Sequence, residues 1–298
     1  MTVLGFADAA CLEVDAAGGK GASLARMAAL GLPVPPGFVV HADTLAQALG
    51  PRVEELREAL AADKAGVHDM VAGCDIPGEL AEAVEAAYDE LGDEPAVAVR
   101  SSACAEDSQE ASFAGQQETY LHVRGVGDVL ERIRECWASF FSERALFYRE
   151  QKGSLGDLGM AVVVQRMVDA EVAGVLFTND PVQRRRDRMV VEAVFGLGEA
   201  CVSGLVTPDH YVLARDGTVK KERLSVQPLA VVSGPEGGTI ERELSAEEGG
   251  ASTLGQEELS ELASLGDDLE KSLGGPQDIE WAFEGGELYV LQARPVTA

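Results

Sequence analysis

No apolar run in this chain approaches the roughly 18 residues that cross a bilayer, which excludes a membrane-spanning helix. Met1 to Ala10 carries neither a basic leader nor a long apolar stretch, so no secretory signal is expected there. The five cysteines (Cys11, Cys74, Cys104, Cys136 and Cys201) are odd in number and form no Cys-x-x-Cys pair. That argues against a zinc site or a disulfide framework and favours reduced thiols in a cytoplasmic setting. The four histidines (His41, His68, His122 and His210) show no metal-ligand spacing. The shortage that matters most is positive charge. There are 24 Lys and Arg against 51 Asp and Glu, a formal net charge of −27. Such a surface repels nucleic acid and anionic membrane. It also makes any local gathering of Lys and Arg informative, because a chain this acidic that handles phosphates has to concentrate its cations.

What is present is 298 residues with 46% hydrophobic content, enough for one large domain or two lobes with their own cores. Gly18-Gly19-Lys20 opens a helix that runs to about Leu30 and stops at Gly31. A stiff proline segment then leads to a short strand, Phe38 to Val40. Residues 43–91 read as helical, with breaks near 50 and 73–78. Ala96 to Arg100 and Glu118 to Val123 read as strands around a small polar stretch, and 128–150 as one amphipathic helix. The second half is richer in strands. Met160 to Val168 and Val172 to Thr178 flank a turn, Met189 to Val194 follows, and a hairpin closes about Asp216-Gly217. Residues 233–256 read as an acidic, Gly/Ser-rich surface connection, and 257–273 as a helix. There is no internal repeat. Long helices with antiparallel hairpins predict an α+β fold in two lobes, about 1–180 and 181–298, with a cleft between them.

The C-terminal segment predicts its own pairing. Asp278 to Phe283 and Leu288 to Arg294 read as two strands about a glycine turn. With Gly285, Gly286 and Glu287 as a three-residue loop, Trp281 faces Leu291, Phe283 faces Tyr289 and Ile279 faces Ala293. A two-residue loop would put Glu280 opposite Leu291 and mix the faces, so the three-residue register is preferred. The polar face then holds Asp278, Glu280, Gln292 and Arg294, with Glu280 opposite Gln292. A carboxylate, an amide oxygen and a guanidinium on one ribbon suit a Mg²⁺ ion carrying phosphates. The same pattern also fits an amphipathic hairpin with a solvated face.

Three further places carry chemistry. Arg100 ends an apolar strand and leads into hydroxyls and small residues, a candidate phosphate cradle in which Gly115 would let the backbone approach closely. Lys20 follows two glycines at a helix start, where an ammonium and free N–H groups favour an anion. Gln165 sits in an otherwise apolar strand and needs a polar partner, from the core or from a ligand. The basic run Arg184 to Arg188 reads as a solvated loop, with an acidic docking partner as the alternative.

Five ordered blocks, GGKGASLARMAALGLPVPPGFVV, AVAVRSSACAEDSQEASFAGQQETYL, VVVQRMVDAEVAGVLFTNDPV, VVEAVFGLGEACVSGLVTPDHY and PQDIEWAFEGGELYVLQARP, run the length of the chain. Together they resemble the ATP-binding domain of phosphoenolpyruvate synthase, pyruvate phosphate dikinase and rifampin phosphotransferase, over essentially residues 4–296. The resemblance implies an ATP-grasp fold with ATP between two lobes. It implies that Lys20 and Arg100 are phosphate-binding cations, and that Gly115 and Thr119 belong to a loop over the triphosphate. Gln165 would lie on the nucleotide side, and Glu280, Gln292 and Arg294 would be the Mg²⁺ and phosphate ligands. Glu192 matches an acidic residue of less certain role.

Members of that family continue into a swivelling domain with a phosphorylatable histidine, and then into a domain for the acceptor. The sequence ends at Ala298, and none of its four histidines has the Thr-x-x-Gly-Gly-x-x-x-His-Ala context. The expectation is therefore a stand-alone component that uses Mg-ATP to phosphorylate a histidine on a separate swivel-domain protein. The alternatives are a regulatory nucleotide-binding module without turnover, an excised domain, or a direct small-molecule kinase.

Overall fold

A computed structural model describes residues 2–62, 64, 66–104, 118–183, 185–235 and 237–296. Two compact units emerge, Met1–Gly31 with Pro36–Met167, and Leu32–Pro35 with Val168–Ala298. The boundary falls after Met167, earlier than 180, because the strands on either side of Asp169 to Glu171 join different sheets. The α+β class read from the sequence is the class found.

The first unit contains β1 (Val3–Gly5), α1 (Val14–Ala29), β2 (Gly37–Val40), and four helices, α2 (Thr44–Leu49), α3 (Arg52–Ala61), α4 (Val67–Ala72) and α5 (Gly78–Asp89). It continues with β3 (Val97–Ala103), β4 (Thr119–Val123), α6 (Val126–Ser139), α7 (Glu143–Lys152) and β5 (Met160–Arg166). The five strands form an antiparallel sheet in the order β1-β2-β5-β3-β4. Alternation sorts its faces. Phe38, Val40, Val97, Val99, Val162 and Val164 point to one side, where they share a core with Leu45, Leu56, Leu80, Ile133 and Trp137 of the helices. The other side carries α1. The single helix expected over 128–150 is two. Ser142 breaks the run by accepting the Ala145 N–H as the cap of α7.

The second unit contains β6 (Val172–Phe177), β7 (Arg188–Phe195), α8 (Glu199–Val202), β8 (Asp209–Ala214), β9 (Val219–Arg223), β10 (Leu229–Ser233) and β11 (Thr239–Glu243). It ends with α9 (Ala246–Gly249), α10 (Gln256–Leu273), β12 (Gln277–Glu284) and β13 (Glu287–Pro295). Six strands pair antiparallel in the order β13-β12-β6-β7-β8-β9, and β10 pairs with β11 apart from them. The stretch 233–256 is thus not a plain connection, since it holds β11 and the Ser245–Glu248 capping box of α9. The core face of the large sheet bears Ile279, Trp281, Leu176, Met189, Val191 and Tyr211, all buried. α10 packs onto it at Gly266, where an added Cβ would sit 3.0 Å from Leu176 and 3.2 Å from the Met189 sulfur.

The terminal hairpin corrects the predicted register in part. Glu284 pairs with Glu287, so the loop is the two-residue Gly285-Gly286 turn, with φ of 59° and 80°. Both values lie in the left-handed region that a type I′ turn requires. Phe283 therefore faces Leu288, and Trp281 faces Val290. A bulge between Glu280 and Trp281 then absorbs Leu291, after which Glu280 faces Gln292 and Ile279 faces Ala293, as expected. The mixing of faces that argued against the short loop is avoided by one extra residue.

Candidate functional site

The first unit gathers four of the expected residues on the sheet face that carries α1. Gly18 interrupts α1 with φ 68° and ψ 175°, so a fresh helical run starts just ahead of Lys20. This backbone lies close on β3, and a Cβ at Gly18 would be 2.1 Å from the Ser102 carbonyl oxygen. Ser102 Oγ donates to the Ala17 carbonyl at 2.9 Å and accepts the Gly21 N–H at 3.2 Å. With the kink stapled to the strand, Lys20 Nζ donates to the Ser101 carbonyl at 3.0 Å. Arg100, one residue earlier, stands opposite Thr119 on β4 and Val163 on β5. Gln165 stands opposite Ala98 and Gly37. Opposed residues share a face, and so do residues two apart. Arg100, Thr119 and Gln165 therefore share the α1 face, with Gln165 buried, Arg100 half-buried and Thr119 exposed.

The hydroxyls proposed for the cradle do something else. Ser101 projects to the opposite face by alternation and its Oγ donates to the Glu118 carbonyl at 3.3 Å, and Ser102 is the staple just described. Gly115 lies outside the described residues. The basic run is a surface loop in its described part. Arg185 pairs with Asp187 at 2.7 Å, and Arg184 lies outside the described residues.

The second unit gathers the others on the face of its large sheet opposite α10. Register carries one row across it, His210 opposite Glu192, Glu192 opposite Val175, Val175 opposite Glu280, and Glu280 opposite Gln292. Glu280, Gln292, Glu192 and His210 are all half-buried. His210 Nδ1 lies 3.4 Å from Glu192 Oε1. In the next row, Arg294 Nε and Nη2 both donate to Asp278 Oδ2 at 2.8 Å. Burial pushes the Asp278 carboxyl up from its ordinary value. Arg294 opposes that rise and the nearby Glu280 adds to it.

Oxygen donors opposed on one face suit a hard cation. Among the described residues no three His, Cys, Asp or Glu side chains converge as metal ligands. Mg²⁺ is commonly held by one or two carboxylates and keeps waters and phosphate oxygens, rather than a closed protein cage. Sequence reasoning put Asp278 on this face without a role and missed the His210–Glu192 pair. The alternation Asp278-x-Glu280 was readable, whereas the cross-strand neighbour of Glu192 depends on a register that no local pattern encodes.

Residues 14–298 match the family described as pyruvate phosphate dikinase, AMP/ATP-binding domain. A probable phosphoenolpyruvate synthase of Archaeoglobus fulgidus is 42% identical over 315 residues, covering 100% of this chain and 42% of that protein. The rifampicin phosphotransferase of Bacillus cereus is 37% identical, covering 99% of this chain and 36% of that protein. The chain thus spans less than half the length of these relatives. An ATP-grasp ligase of known structure, at 10% identity, aligns with a TM-score of 0.31, covering 94% of this chain and 52% of that one. Among the described residues no helix is long and apolar enough to cross a membrane.

Proposed function

The chain belongs to the family of pyruvate phosphate dikinase AMP/ATP-binding domains, and on that premise we propose that it is an ATP-grasp component using Mg-ATP to phosphorylate a histidine on a separate swivel-domain protein. The observation that carries the reading is the segregation of functional groups by face. The scarce cations Lys20 and Arg100 share one sheet face with Thr119 and Gln165, while Glu280 and Gln292 oppose each other on another.

The roles follow from charge. Lys20, Arg100 and Arg294 offset the negative charge of the phosphates, with Gly115 and Thr119 in the loop over them and Gln165 on the nucleotide side. Glu280 and Gln292 hold Mg²⁺, which when bound neutralises phosphate oxygens. Phosphoryl transfer asks for positioning and charge neutralisation more than covalent groups of the protein. The partner's imidazole nitrogen forms a bond to the β-phosphorus as the bond from that phosphorus to the α,β-bridging oxygen breaks; AMP leaves with the pyrophosphoryl group on the histidine, and water then cleaves the β,γ bond, releasing the γ-group as phosphate and leaving the β-phosphoryl on the histidine. No general base is needed from this chain. The final acceptor, whether pyruvate, an antibiotic hydroxyl or another group, is met by the partner's phosphohistidine.

The test uses β- and γ-labelled ATP with the chain and a swivel-domain protein, apart and together. Acid-labile β-label on the partner's histidine, with AMP released, is the expected result. Label on His41, His68, His122 or His210 without a partner would remove the split reading. ATP binding with no turnover under any pairing would leave a regulatory module. Nucleotide binding itself is read from melting, since Mg-ATP at a hundredfold excess over Kd should add about 2.7 kcal/mol, and Arg100→Ala should abolish most of that gain.

A further inference from the structure

The edge strand β9 reads Val219-Lys220-Lys221-Glu222-Arg223, three cations in five residues of a chain whose net charge is −27. We propose that β9 and the segment after it, as far as Val226, form the docking surface for the swivel-domain partner, and that the partner meets it with acidic side chains around an apolar contact. The inference rests on the partner reading made above.

Three observations support it. β9 ends the six-strand order, and Lys220 to Arg223 are all exposed. Among the described residues, no ion pair engages Lys220, Lys221 or Arg223. By contrast Arg215, just beyond the neighbouring strand, is held by Asp267 at 2.9 Å and Glu270 at 2.8 Å. Like charges gathered on one strand repel each other, and an acidic partner relieves that repulsion. Next, Leu224 and Val226 are 45% and 71% exposed, yet their backbone is anchored. Ser225 between them donates its N–H to Asp209 Oδ1 at 2.8 Å and its hydroxyl to the Pro208 carbonyl at 3.0 Å. Gln227 beyond them is buried and accepts the Phe195 N–H at 3.0 Å. Lysines alone would keep an edge strand from pairing with another sheet, but that task does not need two large apolar side chains held out in water, which form a preorganised contact. Finally, Arg223 ends the row of Glu280, Val175, Glu192 and His210, and Lys221 ends the row of Asp278, Phe177, Val190 and Val212. Both cations therefore project from the face that carries Glu280 and Gln292.

Distance and charge favour the swivel-domain partner as the occupant. Glu280 and Arg223 stand four strand spacings apart, about 19 Å at about 4.8 Å each. A domain of about 100 residues has a radius of gyration of about 13 Å and spans about 30 Å. One domain seated on β9 therefore reaches across the face to the proposed Mg²⁺ ligands. A second copy seated through its own β9 would set cations against cations. The strip from Val219 to Val226 is about 26 Å long, and it covers well under the roughly 800 Å² per partner of a stable interface. So small a contact suits a partner whose histidine has to leave and deliver its phosphate. Elsewhere the acidic surface repels an acidic partner, so the basic edge fixes where it lands and in what orientation.

The experiment follows label transfer from β-labelled ATP to the swivel-domain protein of the test above, at varied concentrations of that protein, on the full chain. Lys221→Glu combined with Arg223→Glu should raise the KM for the partner about tenfold at about 50 mM salt, and only about twofold at about 0.5 M, where the Debye length is about 4 Å. The kcat at saturating partner and the melting gain from Mg-ATP should not change. Leu224→Ser combined with Val226→Ser should raise KM about fivefold at both salt concentrations. Lys271→Glu, a single charge reversal on α10, should change it less than twofold. Melting curves establish that each variant is folded. If the charge-reversed variant keeps a KM within twofold of the wild type while transfer proceeds, the inference is wrong and the partner reading stands. If the wild type labels no swivel-domain protein, both are wrong. If only kcat falls, the two cations act in the transfer and not in docking, and the inference is wrong. If Leu224→Ser with Val226→Ser leaves KM unchanged, the apolar contact is refuted. If sedimentation shows the wild type pairing with itself and the charge-reversed variant not, the edge takes a second copy and the inference is wrong.

Discussion

Asp209 offers a quantitative test of how the second sheet is held. It is fully buried at the start of β8, next to His210. Its Oδ1 accepts the Ser225 N–H at 2.8 Å. Its Oδ2 accepts the Thr253 N–H at 3.0 Å, the Thr253 hydroxyl at 2.9 Å and the Tyr211 hydroxyl at 3.3 Å. One carboxylate therefore ties β8 to two connecting segments. Asp209→Asn keeps the shape but turns one acceptor into a donor. If the amide nitrogen replaces Oδ2, it confronts the Thr253 N–H, and if it replaces Oδ1 it confronts the Ser225 N–H. Either way a buried backbone donor loses its acceptor, at about 1–3 kcal/mol, and the remaining bonds lose charge assistance, about 1 kcal/mol each. Relief from burying a charge returns part of this. The net expectation is about 2–4 kcal/mol, against a total stability of about 5–15 kcal/mol for a domain. Trp137 lies in the first unit and Trp281 in the second, both fully buried. Urea unfolding followed by fluorescence in a Trp137→Phe background therefore reads the second unit alone. At a slope of about 1–2 kcal/mol/M, the midpoint should fall by 1 M or more. A fall equivalent to under about 1 kcal/mol would mean that Asp209 is not the tie described.

Glu280→Ala and Gln292→Ala should each abolish Mg²⁺-dependent turnover. On the proposed assignment of both to one ion, the double variant should lose little more than either single one, and simple additivity in a double-mutant cycle would contradict the shared site. Gly18→Ala puts a Cβ at φ 68° against the Ser102 carbonyl, and should cost about 2 kcal/mol or more. It should also weaken Mg-ATP binding through Lys20, and an unaffected melting temperature would count against the staple. Burial raises the thiols of Cys11 to about 12 and of Cys104 and Cys201 to about 11. A raised folded pKa contributes stability that is whole below the unfolded thiol value, about 8.5, and is lost as pH rises through the folded one. Denaturation midpoints should therefore drop between about pH 9 and 12, less steeply in a Cys11→Ala variant, and a flat profile there would refute the assignment. Alkylation at pH 7.5 should be slow at all three.

Much of the fold was legible because the apolar period was strong. Val162, Val163 and Val164 could only be a strand buried on both faces, and Leu259, Leu262 and Leu269 could only be a helix stripe. The breaks were harder. The run 128–150 keeps its amphipathic period through Phe140 and Phe141, so nothing in the pattern marks the restart at Ser142, whose capping role shows only in its bond to Ala145. The strand 160–168 and the strand 172–178 look like a hairpin because three residues separate them. What divides them is pairing, β5 to β2 and β3, and β6 to β7 and β12, and pairing is non-local.

The candidate site divides along the same line. Glu280 and Gln292 could be placed opposite each other because hairpin partners are close in sequence and the faces must sort, and the bulge at Leu291 is the physical means by which they do so despite the short turn. Arg100 could be given a strand, although it is not the strand end expected, because β3 runs on to Ala103; its neighbour Lys20 could not be found, since 81 positions separate Lys20 from Ser101. That contact exists because a glycine kink and a serine hydroxyl bring α1 onto β3. The same reasoning explains why Ser101 and Ser102 were misassigned. Composition offers two hydroxyls after an arginine, but strand alternation sends Ser101 to the opposite face and the close approach of Gly18 consumes Ser102. Glu192 and His210 were read separately, since they stand 18 positions apart. The row they form with Glu280 arises only after four strands have paired. Short-range chemistry is therefore readable from sequence spacing, while a row of polar groups across a sheet is a property of register, which is fixed by the apolar face beneath it.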